Sequence, residues 1–367
     1  MFEFLATAAF GLEGMAKSEL LALGMPAKAE SGGARFEGSI EDAFKANLHL
    51  RTADRVQMIL AERKTMSFEE LFQLVRDIPW EEYLPRDAKF PVSGHCARSQ
   101  LMSVSDCQAI TKKAIVERLK GHYGQEWFDE TGNEYAVQVV LHTDVARITI
   151  NTSGDALNRR GYRTWNGEAP LRETLAAAMV DLSPWRGDTM LHDPCCGTGT
   201  ILIEAAFKQA QRAPGLTRAF AMETWQLGDK GKYRDIRREA EVAFDTRLIG
   251  SISGSDKDPA ALELCRRHIR QAGLEGRIIV TEKDLRTLKI EGERVCFITN
   301  PPYGERLNDR KTAEKVYRDL GLLQQRHTQS RMCALTAHQG FERFYGKKAS
   351  KKRRLYNGRL ECEYLFF

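Results

Sequence analysis

No apolar run in the 367 residues approaches the eighteen or so that a membrane span needs. The first residues contain Glu3 and no basic cluster, so no secretory signal is read there and a cytoplasmic protein is expected. The eight cysteines include no Cys-x-x-Cys pair, and Cys195 and Cys196 are adjacent, which speaks against a zinc ribbon or a disulfide framework. Reduced, mostly buried thiols are expected instead. The eight histidines show no ligand spacing, so no metal is expected. Gly-x-Gly-x-x-Gly is absent and no Gly-Lys-Ser/Thr follows a glycine-rich turn, which sets aside a dinucleotide fingerprint and a phosphate-binding P-loop.

What is present is the balance of a globular protein: 42% hydrophobic and 29% charged residues, with a mean hydropathy of -0.44. The length suggests two or three domains. A net charge of +5 is a weak pull toward a polyanion. Residues 1–64 mix strand-like runs (Phe2 to Leu5, Ala34 to Phe36) with helical periodicity over Gly14 to Leu23 and Ile40 to Leu48, and alone would be marginal. Residues 65–153 continue this α+β pattern, with helices over Phe68 to Arg76 and Ser105 to Leu119, the second capped by Ser105, and a strand around Phe90 to Ser93. Strands Tyr135 to His142 and Val145 to Asn151 follow, with a hairpin turn at His142 to Asp144. A polar, basic stretch from Ser153 to Arg163 marks the main boundary. Over 154–367 strand, turn and helix alternate, as in a mostly parallel sheet covered on both faces, so the fold class is α/β.

Asp193-Pro194-Cys195-Cys196-Gly197-Thr198-Gly199-Thr200 lies between an apolar strand and a helix, where its glycines let a ligand approach the backbone. The next strand, read as Leu248 to Ser253, leads to Asp256, an acid suited to both ribose hydroxyls of a nucleoside, and Asp258 before Pro259 reads as a helix cap. Asp256 follows Gly199 by far more than the usual ~20 residues, so segment 212–247 reads as an insertion. Asp284 and Leu285 follow the strand at Arg277 to Val280 and would lie beside an adenine ring.

Asn300-Pro301-Pro302-Tyr303, after the apolar run Val295 to Thr299, carries the chemistry. An exocyclic amine is a poor nucleophile because its lone pair is delocalised into the base. Acceptors at the Asn300 side chain and the Pro301 carbonyl can localise that pair and aim it at an electrophile. Tyr303 offers a ring on which the base can stack, and the prolines fix the loop. The loop has no cysteine nucleophile, which disfavours carbon-5 methylation of cytosine.

With these residues the sequence resembles the S-adenosylmethionine-dependent amino-methyltransferases, and more narrowly the bacterial THUMP-domain family that includes ribosomal large-subunit methyltransferase L, which makes N2-methylguanine in 23S rRNA. Leu157 to Arg163 and Ala169 to Ala176 are similar to that family's lead-in, Asn300 to Leu307 to its active-site loop, and Lys351 to Gly358 to its ending. Cys195 departs from it, since relatives often have an aromatic there. The resemblance implies a ferredoxin-like segment (1–64), a THUMP RNA-binding module (65–153) and a Rossmann-like class I methyltransferase domain (154–367). It places Thr174 near the methionine end of S-adenosylmethionine, Asp193, Gly197 and Gly199 at its centre, Asp256 at its ribose and Asp284 at its adenine.

Six cations fall in eight residues at Lys347, Lys348, Lys351, Lys352, Arg353 and Arg354. Beside a base-modifying loop such a run is expected to meet RNA phosphates, as are Arg159, Arg160 and Arg163. The expected reaction is methylation of guanine N2 in RNA, 23S rRNA first and tRNA second. Adenine-N6 methylation of DNA or RNA is the enzymatic rival. For DNA, the absence of a large target-recognition segment in the roughly 60 residues after the loop counts against it. An RNA-binding assembly factor is the rival without catalysis.

Overall fold

The computed structural model describes residues 1–163, 171–290, 294–304 and 307–367, the side chains of 307 and 308 excepted. Two seven-stranded sheets organise it. The first contains β1 (Phe2–Ala8), β2 (Ala27–Glu30), β3 (Gly33–Gly38), β4 (Ala53–Lys64), β5 (Val92–Ala97), β6 (Val137–His142) and β7 (Val145–Asn151), in the order β2-β3-β1-β4-β7-β6-β5. Helices α1 (Glu13–Ala22), α2 (Ile40–His49), α3 (Phe68–Arg76) and α4 (Val104–Tyr123) accompany it. β4 pairs with β1 on one side and β7 on the other, so the segment that looked marginal alone shares a continuous sheet with the one that follows.

Local chemistry sets the helix starts. Ser39 with Asp42 and Ser67 with Glu70 form reciprocal capping boxes. The cap of α4 lies two residues before the expected one, since Ser103, not Ser105, accepts the Asp106 N–H, and the helix runs on to a left-handed stop at Gly124. The β6–β7 turn has positive φ at Thr143 and Asp144 (53° and 60°), the tight hairpin geometry that matches strand twist.

The second sheet contains β8 (Met190–Asp193), β9 (Ile252–Asp256), β10 (Ile278–Glu282), β11 (Val295–Thr299), β12 (Arg331–Thr336), β13 (Lys351–Asn357) and β14 (Leu360–Phe366). Their order is β10-β9-β8-β11-β12-β14-β13, with β8 to β12 parallel and β14 antiparallel to both neighbours. Helices α5 (Glu173–Leu182), α6 (Thr200–Gln209), α7 (Lys230–Ala243), α8 (Pro259–Gln271), α9 (Leu307–Arg326) and α10 (Phe341–Tyr345) complete this half. Sequence order reverses at β8, whose carboxyl end therefore opens a crevice, the usual ligand position in such sheets.

The strand read at Leu248 to Ser253 lies further on. Thr246–Leu248 is a short 3-10 turn, and the strand is Ile252–Asp256, whose Ile-Ser-Gly-Ser-Asp composition hides it from hydropathy. Gly254 is required there, since a Cβ would lie 2.6 Å from Leu202 and 2.9 Å from Cys196.

Segment 212–247 joins the halves. Its Trp225 stacks on Tyr135 at 5.0 Å and donates its indole N–H to the Glu134 carbonyl at 3.0 Å. Tyr233 stacks on Phe44 at 4.4 Å. Beneath it, Arg51 from the loop after α2 reaches buried Glu204 on α6 at 3.1 Å. A single apolar core consequently runs through both sheets, and a smaller one lies between α9, α10 and the carboxyl-terminal strands.

Candidate active site

The turn after β8 makes a cleft of about 420 Å³, with Leu171, Asp193, Gly197, Thr200, Asp258 and Asn300 in its wall. Cys195 also lines a second recess of about 240 Å³ that includes Asp256, Asp284, Leu285 and Pro302. Gly197 has φ of +50°, and no atom lies within 4 Å of where its Cβ would stand, so the space above this backbone is open. Gly199 serves packing instead: at φ of +84° it begins α6 so close to α8 that a Cβ would meet the Cys265 sulfur at 2.5 Å.

Asp256 clamps the two turns. Its carboxylate accepts the Gly197 N–H at 2.9 Å and the Asp258 N–H at 3.0 Å. Asp258 caps α8 through the Ala260 N–H, with Pro259 in the first turn, as its sequence suggests. Asp193, 2% exposed, accepts the Cys195 N–H at 3.1 Å. Burial, with the Asp256 charge adding to it, pushes its carboxyl up to about 7. Asp284 is set the other way, since Arg286 donates to both its oxygens and holds its carboxyl well below the usual range.

Thr174 is not in the cleft wall. It is buried on α5 and donates to Asp54 of β4 at 3.2 Å, tying this helix to the first sheet. Leu171, three residues earlier, lines the cleft instead. Residues 169 and 170 of the lead-in motif lie outside the described residues.

β11 is buried along its whole length and delivers Asn300 to the wall that also holds Asp193. The Tyr303 hydroxyl donates to Asn300 Oδ1 at 2.6 Å. Tyr317 on α9 donates to the Pro302 carbonyl at 2.7 Å and pins the loop. Pro301 is buried and Tyr303 half-buried, with its hydroxyl beside Asn357 and Cys362. Of the motif Asn300 to Leu307, residues 305 and 306 lie outside the described residues.

Three arginines expected at phosphates divide. Arg159 is exposed and pairs with Asp155 at 3.1 Å. Arg160, 2% exposed, is turned inward: it donates to the Leu157 carbonyl at 2.6 Å and to the Arg51 carbonyl, and lies 3.6 Å from Glu204. Arg163 donates to Thr200 Oγ1 at 2.6 Å and the Leu171 carbonyl at 2.9 Å, and pairs with Glu173 at 3.5 Å. Both readings are corrected, because a guanidinium already engaged inside the protein does not reach a phosphate. Arg163 instead positions Leu171 and Thr200 on the cleft wall. Thr200 had a visible signal, as the residue after Gly199; the acidic partners of Arg160 and Arg163 had none.

The basic run is structured. Lys347 and Lys348 are exposed between α10 and β13, and Lys351, Lys352, Arg353 and Arg354 are the exposed first residues of β13, the edge strand. Lys352 pairs with Glu342 at 2.6 Å and Arg354 with Glu361 at 3.3 Å, while Arg353 forms no ion pair among the described residues. Charge on an edge also blocks unwanted strand pairing.

The RMKL-like methyltransferase domain matches residues 160–365, the RlmL ferredoxin-like domain 3–57 and the THUMP domain 66–151. The chain is 39% identical to the putative RNA methyltransferase YpsC of Bacillus subtilis, covering 99% of this chain and 95% of that one. It is 33% identical to the ribosomal RNA large subunit methyltransferase K/L of Syntrophotalea carbinolica over 100% of its length, and spans 53% of that longer protein. Among solved structures, a predicted N6-adenine-specific DNA methylase from Listeria monocytogenes superposes with a TM-score of 0.95 at 40% identity, covering 100% of this chain and 96% of that one. SMU.472, a putative methyltransferase complexed with SAH, does so at 0.94 and 39%, covering 100% and 97%. The chain belongs to the RMKL-like family of THUMP-domain class I methyltransferases, RNA methyltransferases that use S-adenosylmethionine.

Proposed function

We propose that the protein methylates the exocyclic N2 amine of a guanine in RNA, with 23S rRNA as the substrate and the cytoplasm as the place of action. The carrying observation is Asn300 at the tip of β11, in one cleft wall with Asp193 and followed at once by the rigid Pro301-Pro302 pair. The large-subunit name of the K/L relatives supports the choice of rRNA.

The residues fit the cofactor. Open space over Gly197, the Asp256 carboxylate at a strand tip and the Asp284–Leu285 recess suit its centre, ribose and adenine, and buried Asp193 is an acid able to meet its positive charge. When bound, the cofactor supplies a methyl group made electrophilic by a sulfonium. Asn300 Oδ1 and the Pro301 carbonyl accept the N–H groups of the target amine and concentrate its lone pair on the attacking side. Tyr303 stacks against the base and Tyr317 keeps the loop from yielding. The methylated nitrogen, transiently cationic and strongly acidic, loses its proton to solvent, so no buried base is required. Most of the acceleration then comes from orientation.

Nucleoside mass spectrometry of 23S rRNA and tRNA from a deletion strain tests this. Loss of N2-methylguanosine from 23S rRNA, restored by the wild-type gene but not by Asn300→Ala, is expected. Adenine is the second reading, favoured by the likeness to the predicted N6-adenine-specific DNA methylase of Listeria and by a loop that serves either amine. Loss of N6-methyladenosine in the same experiment would establish it.

A further inference from the structure

β13 runs parallel to β12, so its carboxyl end lies at the same edge of the sheet as Asn300. Strand register shows how far it extends. Thr299 is opposite Ala334, Thr336 opposite Glu363, and Glu363 opposite Arg354, which carries Tyr356 and Asn357 past the ends of the central strands. Asn357 lies beside the Tyr303 hydroxyl. Tyr356 precedes Asn357 on the same strand, so its side chain stands at this rim on the opposite face of β13.

Against Tyr356 stands Phe10, from the turn between β1 and α1, with ring centroids 5.6 Å apart and planes at 88°. Both rings are held. The Tyr356 hydroxyl donates to Glu361 at 2.9 Å. Next to Phe10, Gly11 at φ of +90° is seated on the Arg354 carbonyl so closely that a Cβ would lie 2.8 Å from that oxygen, and its N–H donates to Glu13 at 2.8 Å. Phe10 is nevertheless 61% exposed. Arg359 is exposed in the turn of the same hairpin. A fixed aromatic pair at the carboxyl rim of the sheet, with the exposed Arg359 in the adjoining turn, has the two elements by which proteins grip unpaired nucleic acid: a stacking face and charge for the backbone.

We propose that Phe10 and Tyr356 form a stacking platform for an unpaired nucleotide beside the target base, with Arg359 meeting its phosphate. Drawing the target base out of its stack bares the face of its neighbour, and the platform covers that face. The platform joins a residue near the start of the chain to one near its end, so it exists only while the first sheet is docked on the catalytic half. This inference rests on the RNA reading above.

The test uses the full chain, a short single-stranded RNA and the same strand within a duplex, with binding read by fluorescence anisotropy. Phe10→Ala and Tyr356→Ala are expected to weaken single-strand binding by about tenfold each, leaving duplex binding and S-adenosylhomocysteine affinity unchanged. Phe10→Trp retains single-strand binding, while Phe10→Leu, which keeps apolar bulk without a ring, behaves like Phe10→Ala. Wild-type affinity in Phe10→Ala or Phe10→Leu overturns the platform, and an equal loss on duplex RNA overturns stacking as its basis. Failure of the wild-type chain to bind any RNA overturns instead the reading on which it rests.

Discussion

The Tyr303 hydroxyl donates a 2.6 Å hydrogen bond to Asn300 Oδ1, so the acceptor proposed for the target amine already holds a donor from the protein itself. The bond orients the Asn300 amide in the direction catalysis needs, with oxygen toward the donor. The amide oxygen keeps a second lone pair for the incoming amine.

Tyr303→Phe separates the two jobs of that ring. The acceptor is freed and the stacking face kept, so kcat stays within a few-fold of wild type, a net hydrogen bond being worth only about 1 kcal/mol. Tyr303→Ala removes the face and loses most turnover. Single-turnover methylation of rRNA from a deletion strain checks both. A Phe variant as inactive as the Ala variant would assign the hydroxyl a role in chemistry.

Asp256→Ala is expected to weaken S-adenosylhomocysteine binding by roughly 1 to 3 kcal/mol, read by calorimetry. Part of that loss is indirect, since the same carboxylate holds the Gly197 and Asp258 N–H groups. A measurable fall in melting temperature accompanies it. Unchanged affinity would remove Asp256 from the cofactor site.

The Asp193 carboxyl, pushed up to about 7 by burial, is expected to make cofactor affinity pH-dependent. Below pH 7 it is protonated and carries no charge to meet a cationic ligand, so affinity rises from pH 6 to pH 8. Binding near pH 7 releases a proton, detectable by calorimetry in buffers of different ionisation enthalpy. Stability of the free protein runs the other way. The unfolded carboxyl ionises near 4, so between that pH and 7 the folded state binds more protons and stability falls as pH rises. Asp193→Asn abolishes both effects; a pH-independent affinity in the wild type would contradict the assignment.

Arg160 and the basic edge strand are expected to respond oppositely. Arg160→Ala leaves buried Glu204 with less compensation and costs about 3 to 5 kcal/mol of stability, without changing how RNA affinity depends on salt. Alanine at Lys351, Lys352, Arg353 and Arg354 leaves the melting temperature nearly unchanged but flattens that dependence, because fewer counterions are released. Thermal melts and salt titrations of the two variants decide it, and an unchanged slope in the second would return β13 to an edge-protecting role.

Much of this was legible where the signal is local. Phe68–Arg76, Val145–Asn151 and Val295–Thr299 follow from periodicity and their flanking residues, and the Asp258–Pro259 cap from two adjacent residues. Strand β9 was displaced because serines, a glycine and an aspartate make up most of it. Strand β13 read as a charge run because four cations at a sheet edge erase the apolar alternation. Arg160 and Arg163 looked like surface cations because Glu204 and Thr200 lie on α6, beyond α5 and β8. Pairings of that range leave no trace in spacing.

The most direct test of the account is single-turnover methylation by Asn300→Ala, on rRNA from the deletion strain, with nucleosides identified by mass spectrometry. The account predicts N2-methylguanosine formed on the order of 100- to 1,000-fold more slowly than by wild type, with S-adenosylhomocysteine and RNA affinities nearly unchanged, since the contact strengthens as charge develops in the transition state. A wild-type rate from Asn300→Ala would contradict it.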